Sequence, residues 1–289
     1  MVSGSRAVVY RAGSGRDALG GLLIWADRHG VDDVAVLVDE HAGDLARRVA
    51  ALDAPISTWQ RNRSEAVPAD VEPLELEAEP PAGIDEFVEI IEHHGLEVVA
   101  EHGVVTAELS GLEVARIESD GTVAHMTVGV GRFDREAGAM LRHGDDLGDR
   151  LADALLEVGP HRRAGAEPHP VNRLGRERWL RAGALDDPGS VGLTSLAPVS
   201  PAYPRPNLRA PSVAPAVGPD TEGVPTLVIF TVGVDIDVVP HAADLVAREG
   251  AEQVVLAGLA RDQLDPIRRL AERLPVPHRF VAVDQPWPR

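Results

Sequence analysis

The chain has 289 residues, a net charge of −18 and no cysteine, and 44% of its residues are apolar. This length suffices for one large domain or two ordinary ones. The lack of cysteine excludes disulfides, zinc–thiolate sites and thiol catalysis. All 28 residues counted as lysine plus arginine are arginine. So negative a charge disfavours non-specific binding to nucleic acids or anionic membranes.

The hydropathy pattern gives no sign of a membrane segment. No stretch approaches the roughly 18 consecutive apolar residues of a membrane span. The N-terminal residues lack the features of a secretory signal. We therefore expect a cytoplasmic protein with no membrane partner.

Residues 1–66 alternate between short apolar strands and amphipathic helices. The pattern predicts strands at 7–10, 34–38 and 56–59, with helices at 14–30 and 41–52. This order implies a β-α-β-α-β unit with parallel strands and right-handed crossovers.

Residues 67–158 are predicted to form an α+β middle portion. An acidic, proline-containing connector precedes a helix at 84–94. The hydrophobic period then changes to two, which predicts an antiparallel meander. Its strands are expected at 96–100, 104–109, 112–118 and 123–130, followed by helices at 135–142 and 147–158.

Residues 159–222 are rich in arginine and proline and are predicted to be a connector. The prolines of 195–219 are too frequent for regular structure to be expected there. Residues 223–289 return to a β-α-β-α-β pattern. The predicted fold class is therefore α/β, with layered β-α-β units at both ends and an α+β antiparallel-meander middle portion.

The tetrapeptide Thr-Val-Gly-Val occurs twice, at 127–130 and 231–234. Both copies precede acidic residues and a predicted helix. We interpret the likeness as one physical solution used twice. A buried valine strand needs glycine where the backbone passes closely, and acids suit the start of a helix.

The turn at 12–17 is a candidate phosphate site, because backbone N–H groups before a helix favour an anion. Gly13, Gly15 and Ala18 match the relaxed G-x-G-x-x-A dinucleotide fingerprint, with Ser14 between the glycines. Asp39 ends the next strand, where a ribose-binding acid would lie. The alternative is an ordinary turn between a strand and a helix.

Asp235 and Asp237 follow a strand that is almost entirely apolar. Ligands of α/β proteins bind at the carboxyl ends of parallel strands, so this pair is the best single location for a site. The two carboxylates could share a Mg²⁺ ion. Alternatively, Asp237 caps the following helix and Asp235 is solvated.

A second set of acids, Glu113, Asp134 and Glu136, lies around the meander. The α-β-β-β-α order over residues 84–141 resembles the general layout of the PD-(D/E)XK nucleases. That resemblance implies a divalent-cation site. The diagnostic residues depart from the family pattern, because Thr127 and Gly129 stand where its acid and lysine belong. A degenerate relative and an unrelated meander both remain alternatives to an active nuclease.

Six arginines and only two glutamates lie between residues 161 and 181, a local charge of +4. Arginine suits bidentate contact with phosphate. The candidate phosphate ligands are Arg162, Arg163, Arg173, Arg176 and Arg178. The favoured alternative is that these arginines pair with the chain's own surplus acids. Trp179 is expected to be a core residue.

Two functional hypotheses follow from these patterns. The favoured one is a non-catalytic binding module for a protein partner or a second copy, because no catalytic constellation is complete. The alternative is a phosphate-handling protein that binds or processes a nucleotide or nucleic acid. It would bind phosphate through the arginines or the Gly13–Gly15 turn and hold Mg²⁺ or Mn²⁺ on the acids.

Overall fold

The computed structural model describes residues 2–75, 77–119, 121–141 and 146–288. Within these residues the strands form three sheets, of five, four and five strands. Parallel β-α-β units lie at both ends of the chain and an antiparallel meander lies between them. The predicted α/β class is confirmed.

The N-terminal unit is built on three parallel strands, joined by helices on one face of the sheet. Its sheet order is β1-β2-β3-β4-β5, and the short edge strands β1 and β5 are antiparallel to their neighbours. The elements are β1 (Val2–Ser3), β2 (Arg6–Ser14), α1 (Leu19–His29), β3 (Asp33–Glu40), α2 (Ala42–Ala50), β4 (Ile56–Asn62) and β5 (Glu65–Pro68).

The middle portion is a four-stranded meander backed by helices. Two-residue turns at His102-Gly103 and Ser110-Gly111 join its first three strands, and all four residues have positive φ, as type I′ hairpin turns require. One sheet face packs against α3 and α5 in a separate hydrophobic core. The elements are α3 (Asp85–His93), β6 (Glu97–Glu101), β7 (Val104–Leu109), β8 (Leu112–Ser119), β9 (Ala124–Val128), α4 (Gly131–Leu141) and α5 (Leu147–Val158). The helix predicted at 135–142 falls within α4 except for Arg142, which lies outside the described residues.

The C-terminal unit again has parallel strands with helices packed on them. Its sheet order is β10-β11-β12-β13-β14. The elements are α6 (Arg176–Asp186), β10 (Ala197–Pro198), β11 (Ala214–Pro219), β12 (Pro225–Thr231), α7 (Val238–Glu249), β13 (Gln253–Gly258), α8 (Asp265–Ala271) and β14 (His278–Ala282).

The expectation that 195–219 holds no regular structure is wrong. Both β10 and β11 lie within it and pair antiparallel, β11 with β12 over six residue pairs. β10 has only two residues, so most of β11 borders the edge of the sheet. Proline is tolerated there because edge N–H groups need no partner in the ladder.

The two end units are structural repeats. Gly13, Asp17 and Gly30 recur as the same residue types 220 positions later, at Gly233, Asp237 and Gly250. Gly13 and Gly233 both have positive φ, and their N–H groups donate to Asp39 and Asp262, respectively. Gly30 and Gly250 both end a helix in the left-handed conformation. The counterpart of the second Thr-Val-Gly-Val turn is therefore the glycine turn at 12–17.

The two units share one hydrophobic core, formed by helices α1 and α2 against α7 and α8. The closest approach is at Gly20 of α1, where a Cβ would lie only 1.8 Å from the carbonyl oxygen of Ile236. The Gly20 N–H donates to the Asp237 carboxylate at 3.0 Å. Asp237 therefore caps the helix of the other unit, whereas it makes no side-chain cap bond to α7. Glycine at position 20 is required by this contact.

A Gly20→Ala substitution should destabilise the protein by about 3 kcal/mol or more, because the added Cβ meets backbone atoms that cannot rotate away. Gly183 in α6 is the matched control, since a Cβ there would meet nothing within 4 Å. Gly183→Ala should be neutral or stabilise by up to about 1 kcal/mol. Chemical denaturation measures both, and equal stabilities would contradict the role of Gly20.

Candidate functional site

A groove of about 1190 Å³ runs across the meander on the face opposite its hydrophobic core. Its floor is formed by β7, β8 and β9. Its walls are the start of α4, the start of α6 and the segment 204–209. This volume exceeds the roughly 300–1,000 Å³ of most small-molecule sites, so the groove has room for a ligand of appreciable size.

Strand alternation makes the groove floor polar. In β7, Val105 and Ala107 enter the core, whereas the alternate residues Thr106 and Glu108 lie on the opposite face. A register shift after Ala107 pairs Glu108 with Glu113 of β8. Two buried carboxylates are thereby placed opposite each other on adjacent strands, and each needs a cation nearby.

The first of these carboxylates is neutralised by α6. Arg178 donates to Glu108 at 2.6 Å and also to Glu101, and Arg181 donates to Glu101 at 2.9 Å. Burial alone would raise the pKa of Glu101, but the two guanidinium groups hold it below its ordinary value. Glu97, the direct cross-strand partner of Glu108, has its pKa raised to about 7 by burial and by the charge of Glu108.

The second carboxylate, Glu113, is held by two arginines. Arg116 contacts both of its oxygens, at 2.8 and 2.9 Å, and Arg135 donates to one of them at 2.6 Å. Burial by itself would lower the pKa of Arg116, but its hydrogen bonds to Glu113 and Glu118 and the charges of these two acids together raise it. Asp134 accepts the Val130 N–H at 2.7 Å. The acids of this region are therefore engaged by the protein itself.

Arginines outnumber acids in the groove wall. Six arginines and five acids line it, so its formal charge is +1 in a chain of −18. Four of the five acids, Glu101, Glu113, Glu118 and Glu136, form ion pairs with arginine. The arginines that are not fully paired with acids lie in the segment 204–209.

Arg205 has a hydrogen-bond donor that no acceptor of the described residues uses. Its side chain is only 6% exposed, and its nearest acid, Glu177, lies at 3.6 Å. Nη2 donates to the Ser212 carbonyl, but Nη1 is buried without a hydrogen-bond partner in the described structure. Burial and the neighbouring Arg178 lower the pKa of Arg205, as expected for a cation that lacks a full set of acceptors.

Two further nitrogen-bearing side chains line the same groove. Nε2 of His102 is also buried and has no hydrogen-bond partner within the described chain. Arg209 is exposed, and no ion pair joins it to an acid of the described residues. Both residues line the groove with Arg205. The groove lining thus includes three side chains whose nitrogen atoms could donate to an anion.

The structure places the five candidate arginines of residues 161–181 in different environments. Arg162 is buried over the Trp179 ring and donates to three backbone carbonyls. Arg163 and Arg173 are exposed. Arg176 stacks on Trp287. Burial lowers the pKa of Arg162 to about 9. Of the five candidates, Arg178 lines the groove, where it pairs with the chain's own acids as favoured above. Trp179 is in the core, as predicted.

The glycine turn at 12–17 uses its donors internally. The Gly13 N–H donates to Asp39, and the Gly15 N–H donates to the Glu40 carbonyl. Ser14 accepts the Arg16 N–H. The helix predicted from residue 14 begins only at Leu19, because these bonds hold the preceding residues in a turn. The Gly13 N–H is also the main cause of the lowered pKa of Asp39.

Asp235 lies at the carboxyl end of β12, as predicted, beside a cavity of about 20 Å³. Such a space holds about one water molecule. The Asp235 carboxylate accepts the Asp237 N–H at 2.9 Å, and Asp237 accepts the Gly20 N–H. Burial raises the pKa of Asp235 to about 6. This end of the sheet therefore offers a perturbed acid but little space.

The candidate metal ligands fall in two places. Glu113, Asp134 and Glu136 line the groove, whereas Asp235 lines the small cavity and Asp237 caps α1. Within the described residues, no three histidines, aspartates or glutamates are grouped so that they could hold a metal ion. The structure thus does not bring the two sets of acids together.

Sequence reasoning missed Arg205, His102 and the bridging of Glu101 and Glu108 by Arg178. The alternation of polar and apolar residues in β7 could have placed Glu108 on the polar face. Arg205 gave no signal, because it lies between prolines in a stretch interpreted as a connector.

Comparison with known proteins gives no relative: no family model, curated protein or solved structure matches the chain. No helix in the described parts of the chain has both the length and the apolar character to cross a membrane.

The raised pKa of Asp235 predicts a pH-dependent stability. The folded protein retains the proton up to about pH 6, whereas the unfolded chain loses it near pH ~4. The stability linked to Asp235 is therefore complete below about pH 4 and is lost as the pH rises through 6. Asp235→Asn keeps the acceptor oxygen and removes the charge. Its melting temperature should exceed that of the wild type at high pH, and the gap should close on acidification.

Asp220 is the matched control, because its pKa is shifted in the opposite direction. The Val224 N–H is the main group that holds the pKa of Asp220 below its ordinary value. Its charged form is therefore favoured by folding, and Asp220→Asn should lower the melting temperature at high pH. Identical pH profiles for the two variants would contradict the assignment of a buried, destabilising charge to Asp235.

Proposed function

We propose that the protein is a non-catalytic binding protein whose groove takes a phosphate-bearing small molecule, with Arg205 as the principal anion contact. The observation that carries this proposal is the buried Arg205 guanidinium, which has an unpartnered Nη1 and no acid closer than 3.6 Å. A buried cation without its full set of acceptors is costly. An anion in the groove would supply the missing acceptor.

The neighbouring groups favour a phosphate-bearing ligand. His102 and Arg209 add nitrogen donors on the groove wall, and phosphate oxygens can accept several such donors at once. Phe133, at the start of α4, also lines the groove and is 86% exposed. An exposed aromatic ring there could stack on a planar ring of the ligand. A nucleotide meets both requirements.

A binding role is preferred to a catalytic one because the carboxylates of the groove are already engaged. Glu113 holds two arginines and Asp134 holds a backbone N–H. A general base or a metal ligand needs a free lone pair directed at the substrate. Four of the five acids that line the described groove are already paired with arginine and Asp134 accepts a backbone N–H, which favours a binding role for this surface.

The test measures the binding of adenosine monophosphate and of inorganic phosphate by titration calorimetry and by the shift in melting temperature. Both should bind and raise the melting temperature, whereas adenosine should bind weakly or not at all. Arg205→Gln should weaken phosphate binding by about tenfold or more, since a charge-assisted hydrogen bond contributes about 1.5–3 kcal/mol.

Two comparison variants make the result interpretable. Arg269→Gln removes the same charge from an exposed position of α8 outside the groove and should leave binding unchanged. Arg209→Gln alters an exposed side chain, so it should weaken binding even if Arg205→Gln reduces folding. Binding that is absent in the wild type, or unaffected by both groove variants, would contradict the proposal.

A further inference from the structure

The repeated units differ in how their sheets are covered. The C-terminal sheet is buried on both faces, by α7 and α8 on one side and by α6 with Trp179 and Trp287 on the other. The N-terminal sheet packs α1 and α2 on one face only. Parallel sheets are normally covered on both faces. The outer face of the N-terminal sheet is therefore unusual.

Apolar side chains line the outer face of the N-terminal sheet. It carries Val8, Tyr10, Ala35 and Leu37, with Trp59 on the neighbouring strand. The residues 220 positions after the first four are Val228, Phe230, Val255 and Ala257, and these are completely buried in the core beneath α6.

No described element covers this outer face. Tyr10 is 48% exposed, and neither it nor Leu37 nor Trp59 belongs to any of the three hydrophobic cores formed by the described residues. In the C-terminal unit the corresponding sheet face is covered by apolar side chains across its whole width. Exposed apolar patches of this kind mark interaction sites.

The charges on the face limit what can bind there. Arg6 pairs with Asp33 at one end of the strands, and Arg61 pairs with Asp39 at the other. The face is thus neutral in a chain of −18. A nucleic acid or anionic membrane would need a basic surface. Two copies of a strongly acidic chain can approach each other where their acids are neutralised.

We infer that this face is an isologous interface between two copies of the chain. The five strands contain 30 residues in all, so at about 3.3 Å per residue and about 4.8 Å between strands the face measures on the order of 480 Å². A standard interface uses about 800 Å² per partner and weaker complexes use less, so the sheet face fits a weak dimer that forms at high protein concentration. The same patch on both copies is what a twofold dimer requires.

The experiment measures the molar mass of the wild type by light scattering and sedimentation equilibrium. The expected mass is twice the 30.7 kDa of one chain. Leu37→Asp places a charge at the centre of the face and should give a monomer. Leu156→Asp is the control, because Leu156 is an exposed leucine of α5, 76% accessible and outside the face. It should remain dimeric.

Leu37→Ser is a milder variant for the case in which Leu37→Asp does not fold. It should raise the dissociation constant at least tenfold while the circular dichroism spectrum stays that of the wild type. A wild type that is monomeric at its highest soluble concentration would overturn the inference and leave a different protein as the partner of this face. A folded Leu37 variant that dimerises like the wild type would overturn it as well.

Discussion

The groove depends on one buried electrostatic requirement: Glu101 and Glu108 on the meander need cations, and α6 supplies them through Arg178 and Arg181. Removing one partner of such a cluster leaves an uncompensated charge and costs about 3–5 kcal/mol. The opposite side of α6 packs Trp179 and other apolar residues on the C-terminal sheet. This helix therefore fixes the meander against the C-terminal unit.

A second constraint joins the two end units. Arg48 and Asp244 are both completely buried and pair at 2.7 Å, and Arg47 contacts the same carboxylate. Burial and the charge of Arg48 lower the pKa of the adjacent His241 to about 3, so this histidine stays neutral and adds no charge to the cluster. Together with the Gly20 contact, this network holds the two end units in one arrangement.

Local periodicity predicted most of the fold, because each strand and helix buries one face in a regular pattern. It failed at 195–219, where β11 forms only because a partner strand distant in sequence is available. It also missed the correspondence between the two glycine turns, since Gly13 and Gly233 share a left-handed backbone and an N–H bond to an aspartate rather than a continuous sequence motif. The acids near Glu113 were noticed, but their arginine partners come from other elements. Arg205 could not be predicted, because its burial depends on tertiary packing alone.

The excess of acid in the whole chain does not determine what each surface can bind. Interactions between exposed charges are screened beyond about 10 Å at ordinary ionic strength, so a ligand in the groove is governed by the side chains around it. There the acids are held by Arg116, Arg135 and Arg178, and Arg205 has only the looser contact with Glu177 at 3.6 Å. On the outer sheet face each arginine has an aspartate. The same residue type is therefore fully paired on the outer sheet face and incompletely paired in the groove, which is why the two surfaces differ electrostatically.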